Sequence, residues 1–345
     1  MAPSVIELVT AYSPVTITGA GAWLASSLGV PNRIIMKTVL TDERGGLLME
    51  VTMTRMTSAL RGLLAWATLS AAAGAPGADT GKPEVDKSVF NFFNPTPTEF
   101  LRAMDTDGPG STESPYTVDA GHFQVEMTLV DYTYDRESLH GVTQRSEEWE
   151  IASMLLKIGL LNQLDFQVLL EPYNVHYERE DGTRVTHRGY GDTTVRVKYN
   201  FWGNDGGRTA FAATPYVKFP TRQDDIGNRG VEGGVVLPLS VDLPRDFYLG
   251  VTTRFDAVRN RGRSGYHVEF INSVEFGHDL FGNLYGYVEF FSAVSTERDS
   301  NWEATFDTGL IYRLTESVRL KLGLNIGVTR AADDRSAFAG IAWRF

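Results

Sequence analysis

The chain has 345 residues, a formal net charge of −11, 42% hydrophobic and 11% aromatic residues, and no cysteine. A helical membrane protein needs several apolar runs of about 20 residues, which this composition excludes. A disulfide framework is excluded too, and acidity without a basic face argues against nucleic-acid binding.

Residues 1–52 match nothing downstream. A basic stretch carrying Arg55 and Arg61 follows, then a short apolar run from Gly62, then Ala71, Ala72 and Ala73. That is the three-part layout of a secretory signal peptide, with an ordinary amphipathic helix as the alternative. A signal is read at the start of a chain, so the true start is expected at Met49, Met53 or Met56. Residues 1–52 are then an extension foreign to the fold, and residues 53–78 the signal peptide, cleaved between Ala73 and Ala78. No cysteine follows, so a lipoprotein anchor is excluded. Residues 79–115 alternate little and carry Phe90, Phe92 and Phe93 close together. They are expected to be a periplasmic lead-in, a segment tucked into a lumen, or a disordered linker.

From Tyr116 to the end, residues 116–345, apolar and polar side chains alternate in segments of about ten residues, the pattern of strands between two media. Phe123, Val125, Met127 and Leu129 oppose Gln124, Glu126 and Thr128, and the second strand runs from Trp149 to Leu161. Phe166, Val168 and Leu170 make the third apolar face, before a charged loop over 178–188. Val195, Val197 and Tyr199 then oppose Arg196 and Lys198, and a Gly-rich turn at 203–207 leads to Phe211, Val217 and Phe219. Five further segments follow, and the chain closes on a hairpin. Val318, Leu320, Leu322, Leu324, Ile326 and Val328 alternate there with Arg319, Lys321, Asn325 and Thr329. The fold class expected is all-β: a transmembrane antiparallel up-and-down β-barrel of about 12 strands.

Connections alternate between short turns and longer charged loops. In outer-membrane barrels the short ones face the periplasm, which places both termini there. Pro172, Pro215 and Pro238 fall inside strands, where bulges or strand ends are expected. Terminal Phe345, with Trp343 and Gly340 before it, fits the signal read by the barrel assembly machinery, apart from Phe338 where a polar residue is usual.

Stretches around Thr106-Asp107-Gly108-Pro109, residues 112–126, Gly189-Tyr190-Gly191-Asp192, residues 198–205, Phe219-Pro220-Thr221 and Val231-Glu232-Gly233-Gly234 resemble one family. It is the outer-membrane transporters grouped with the meta-pathway of phenol degradation, and the resemblance runs from about residue 90 to the end. It implies an outer-membrane channel associated with uptake of aromatic or other small hydrophobic molecules. Gly108 stands where the family usually has Arg, so any contact of that Arg is lost.

The wet face supplies the candidates for lining a pore: Arg196, Lys198, Tyr216, Lys218, Arg254, Glu269, Glu275, Tyr285, Tyr287, Glu289, Glu303, Asp307, Arg313, Arg319 and Lys321. Mixed signs at this density mean either paired charges filling a narrow bore or charged walls with a field between them. The expected function is a channel for small, hydrophobic or aromatic molecules. The alternatives are a non-transporting barrel with a charge-filled lumen, or an outer-membrane lipid hydrolase. None of the six histidines has the neighbours of a catalytic Ser or Cys. No enzyme activity, cofactor or metal is therefore expected; the expected partners are outer-membrane lipid, the assembly machinery and a small solute.

Overall fold

Strands with one apolar and one charged face cannot bury both against the same medium, and this chain resolves the conflict by closing into a ring. The structure is a computed structural model. It describes residues 86–345, apart from 109, 140–141, 181–182, 224–229, 261–263 and 299, and four short strands nearer the N-terminus. Residues 1–75 and 76–345 are separate compact units. In the first, β1 (Glu7–Thr10), β2 (Thr16–Thr18), β3 (Met36–Thr41) and β4 (Leu47–Met53) form an antiparallel sheet in the order β2-β1-β3-β4. Apart from Met53, the expected signal peptide lies outside the described residues.

The second unit holds β5 (Phe123–Leu139), β6 (Val142–Leu161), β7 (Leu164–Leu170), β8 (Tyr173–Glu180), β9 (Thr183–Gly189), β10 (Thr193–Trp202) and β11 (Thr209–Phe219). It continues with β12 (Glu232–Leu243), β13 (Phe247–Arg259), β14 (Tyr266–Phe281), β15 (Leu284–Ser295), β16 (Glu303–Thr315), β17 (Val318–Gly327) and β18 (Arg335–Arg344). Strands β5, β6, β7 and β10 to β18 pair antiparallel in a closed circuit of twelve. Closure is sealed where the Phe123 N–H donates to the Phe345 carbonyl (3.0 Å) and the Phe345 N–H to the Phe123 carbonyl (2.9 Å).

The polarity is inverted relative to a water-soluble protein. Leu322 is 57% exposed on the outside of the ring, whereas Lys198 is 0% exposed on the inside. Outward Leu310, Leu320, Leu324, Ile326, Phe290 and Phe306 continue the apolar band. Aromatic clusters flank it. Phe201, Trp202 and Phe211 (centroids 5.0–5.6 Å) and Phe247 with Phe276 (5.0 Å) lie toward one end, Tyr132 with Trp149 (4.5 Å) toward the other. This is the surface of a barrel in lipid.

The first strand begins at Phe123, where its apolar face is expected to start; ahead of it Thr117 N–H donates to Asn204 (3.2 Å) and Val118 N–H to Asp165 (3.0 Å). Three local features differ from expectation. β5 and β6 run for 17 and 20 residues through the charged stretch after Leu129, since each supplies the other's backbone partners as far as Leu139 opposite Val142. The charged stretch 178–188 is the hairpin of β8 and β9, which pairs with the outer half of β6 from Ile151 opposite Tyr173 to Gln144 opposite Glu180. Pro215 and Pro238 lie inside β11 and β12 without bulges. Each leaves a two-residue gap in one ladder, β10–β11 between Arg196 and Tyr199 and β11–β12 between Phe211 and Thr214, where its missing N–H cannot bond. Pro172 falls at a strand end, between β7 and β8.

Candidate functional site

Inward-facing polar groups inside a ring must find partners, because unpaired buried polar groups are costly. Here the partner is the chain's own segment 102–119, which enters the ring from the short-turn end and returns to it: Arg102 donates to the Thr117 carbonyl (2.7 Å), and both side chains bond the Asn162 carbonyl of the β6–β7 turn. Its backbone is bonded to side chains from many strands. Glu126 (β5) accepts from the N–H groups of Asp107 (3.1 Å) and Gly108 (3.3 Å). Glu289 (β15) accepts from those of Ser111 (2.8 Å) and Thr112 (2.7 Å). Thr252 (β13) accepts from Glu113 N–H (2.9 Å), and Asp165 (β7) from Val118 N–H (3.0 Å). In the other direction Asn200 (β10) donates to the Pro115 carbonyl (2.9 Å), Arg319 (β17) to that of Met104 (2.9 Å), Arg344 (β18) to that of Arg102 (2.8 Å), and Lys321 to that of Gly108.

Asp107 is the centre of this arrangement. Its carboxylate pairs with Lys198 and with Lys157 (2.6 Å), and accepts from Ser114 N–H (3.2 Å) and Gln167 (3.4 Å). Lys157 also pairs with Glu126, as does Lys321 (2.8 Å). Burial alone would push the Asp107 carboxyl up, but Lys157, Lys198 and Arg196 outweigh it and hold it well below the ordinary carboxylate range. Farther along, burial pushes the Tyr116 phenol up to about 12. Upstream, Phe92 N–H donates to the Leu160 carbonyl (2.9 Å), and its ring meets Phe123 (6.3 Å). The aromatic run at 90–93 thus sits at the rim, by the β6–β7 turn.

On either side of the segment the lumen is open. A cavity of about 870 Å³ lies toward the longer loops, lined by Glu113, Arg196, Tyr216, Lys218, Arg254, Glu269 and Glu303 among others. A cavity of about 1080 Å³ lies toward the short turns, lined by Gly108, Thr112, Tyr116, Tyr248, Glu275, Tyr285, Tyr287, Arg313 and Arg319 among others. A third, of about 190 Å³, lies beside Asp107, Gly108, Arg196 and Lys321.

The predicted pore-lining residues therefore divide. Arg196, Tyr216, Lys218, Arg254, Glu269 and Glu303 meet in the first cavity, and Glu275, Tyr285, Tyr287, Arg313 and Arg319 in the second, while Lys321 reaches the third. Lys198, Glu289 and Asp307 reach none of the three. Lys198 is held by Asp107 and Glu289 by the segment's N–H groups; Asp307 lies opposite Glu289, with its Oδ1 buried and unpartnered. Trp343 is outward opposite Val318, Gly340 inward opposite Lys321, and Phe345 stacks on Phe123 (5.9 Å) at the rim. Asp107, Lys157, Glu113 and Gln167 are not among the predicted site residues. Lys157 had a legible signal, a lone cation in the apolar run 154–160; Asp107 had none. Among the described residues no group of three or more His, Asp or Glu could hold a metal ion.

An apolar exterior, a charged interior and an inserted segment define a transmembrane β-barrel whose bore is occupied by its own chain. The chain belongs to the family described as "Putative MetA-pathway of phenol degradation", whose model matches residues 106–345. Among solved structures it is similar to an outer membrane channel from Pseudomonas putida F1, at 12% identity over 70% of this chain and 100% of that one, TM-score 0.49. It is also similar to the NanC porin (14% identity, 64% and 98% covered, TM-score 0.40) and to the CymD monoaromatic hydrocarbon channel (8%, 65% and 87%, TM-score 0.38). No curated protein sequence matches it.

Proposed function

We propose that the protein is an outer-membrane channel for small hydrophobic or aromatic molecules, with residues 102–119 as a plug that must shift for solute to pass. The observation that carries this is the pair of cavities, about 870 and 1080 Å³, separated only by a segment held through hydrogen bonds and ion pairs. A bore built only for rigidity would be filled by side chains; this one keeps vestibules on both sides of a removable partition. Family membership supports the solute class. Both chain termini, with the short turns, face the periplasm in this reading, and Gly340, Trp343 and Phe345 present the closing strand to the assembly machinery.

The bonded segment favours one other reading, a non-transporting barrel with a filled lumen. Recordings from the refolded full chain in planar bilayers separate the two. Discrete openings, and release of phenol from loaded vesicles faster than from protein-free ones, are expected for the channel. A silent bilayer with correctly folded protein would leave the non-transporting barrel.

A further inference from the structure

The cavity at the short-turn end is a built site in its own right. Tyr285 lies over Gly277 and Tyr287 over Gly309, so closely that a Cβ on either glycine would collide with the ring; Tyr248 covers Gly250 likewise, at 3.0 Å. Aromatic rings laid on neighbouring glycines, two across strands and one within β13, pave a wall without narrowing the lumen. Within this wall stands Glu275. The one partner of its carboxylate among the described residues is the Tyr285 hydroxyl, donating at 2.8 Å, and no Lys, Arg or His is in ion-pair distance. Arg313, 5.7 Å from the Tyr285 ring centroid, is engaged by Asp279 (2.7 Å). The hydroxyls of Tyr248 and Tyr287 have no partner among the described residues. The lining as a whole carries six carboxylates, from Asp105, Asp242, Asp246, Glu275, Asp279 and Glu316, against three arginines.

Each observation specifies part of a ligand. Flat aromatic walls favour another ring, stacked or edge-on. A half-buried carboxylate with spare acceptor capacity favours a donor, because a buried acceptor left unpaired is costly. The excess of negative charge repels anions and concentrates neutral or cationic solutes.

We propose that this cavity binds a single aromatic ring carrying a hydrogen-bond donor and no negative charge, the ring against Tyr285 and Tyr287 and the donor on Glu275. A hydroxyl and an ammonium group satisfy the same chemistry. The proposal rests on the channel reading, to which it adds a place and a requirement for the solute, yet binding is measured without any conductance.

The test is calorimetric titration of the refolded full chain in detergent with phenol, phenethylamine, toluene and benzoate. Phenol and phenethylamine are expected to bind at least about tenfold more tightly than toluene or benzoate, since a site built around a donor rejects analogues lacking it. Glu275→Leu should abolish the preference. Glu275→Gln, which keeps an acceptor and loses the charge, should weaken phenethylamine more than phenol, and Tyr285→Leu should weaken both. Toluene or benzoate binding as tightly as phenol would overturn the proposal. So would full phenol affinity in a folded Glu275→Leu protein, or no binding to the wild type. If Glu275→Leu does not fold, the Glu275→Gln comparison decides alone. Openings without phenol binding sink this site but not the channel; binding in a silent protein does the reverse.

Discussion

Asp107→Asn isolates the latch of the interior segment, because it removes the charge on which Lys157 and Lys198 converge and keeps the side chain's size. Lys157 retains Glu126. Lys198, fully buried, is left with the Ser114 carbonyl at 2.6 Å and, among the described residues, no carboxylate in ion-pair distance. Removing one partner of a buried ion pair costs about 3–5 kcal/mol, because the other charge stays buried and unpaired. That cost falls on the seated state alone: once the segment leaves, Lys198 faces a hydrated lumen. At about 1.4 kcal/mol per decade, the ratio of seated to displaced segment should fall at least about a hundredfold. The assay is open probability of single channels in planar bilayers at fixed salt, with folding checked by heat-modifiable gel mobility. Adding Lys198→Met, which removes the orphaned charge, should restore part of the closed time, and the double-mutant cycle measures how much. A folded Asp107→Asn barrel with wild-type open probability would refute the reasoning, since the segment would then be held by something other than these pairs.

The same latch should resist acid. The folded Asp107 carboxyl titrates below its unfolded counterpart, so its contribution is fully present above the unfolded value and is lost only as pH falls through the lower folded one. Closed time is therefore expected to stay constant from neutrality down to about pH 4, and an opening midpoint near pH 6 would point to a different group. Leu322→Arg places a charge on the outward band and should cost about 2–4 kcal/mol near the bilayer midplane, read from urea-dependent folding into vesicles. A cost near zero would mean that this face does not meet lipid. Gly323→Val puts a side chain where the Phe338 ring lies and should destabilise by about 1–3 kcal/mol through overpacking; unchanged stability in the same assay would show the ring free to move aside.

Alternation made the ring legible. Val318 to Val328 and the strands like them state in sequence which side chains meet lipid, and the even strand count follows from the turns. Where alternation carries no hydrophobic contrast, the signal fails. The far halves of β5 and β6 and the β8–β9 hairpin are charged on both faces, so their strands are stabilised by pairing alone and read as loop. Prolines 215 and 238 misled in the opposite direction. Their cost is a missing bond in one ladder, which an otherwise continuous sheet absorbs without an extra residue. Period two fixes which face the interior candidates share. What lay beyond sequence is which of them meet the inserted segment. Asp107 meets Lys157, Lys198 and Gln167 from strands distant along the chain, and no local pattern encodes such a convergence.

The order in which the chain is made gives the closing bonds a particular weight. Met104, Gly108 and Arg102 emerge early, yet their carbonyls are gripped by Arg319, Lys321 and Arg344, which follow them by 215, 213 and 242 positions. Until β18 arrives, this strip lacks its Arg344 anchor and the sheet has two open edges, both prone to wrong pairing. Contacts at such separations are slow to form. The last grip on the strip and the joining of the edges therefore fall to the same strand, and a nascent chain cut short after β17 would lose the seam and the Arg344 anchor at once.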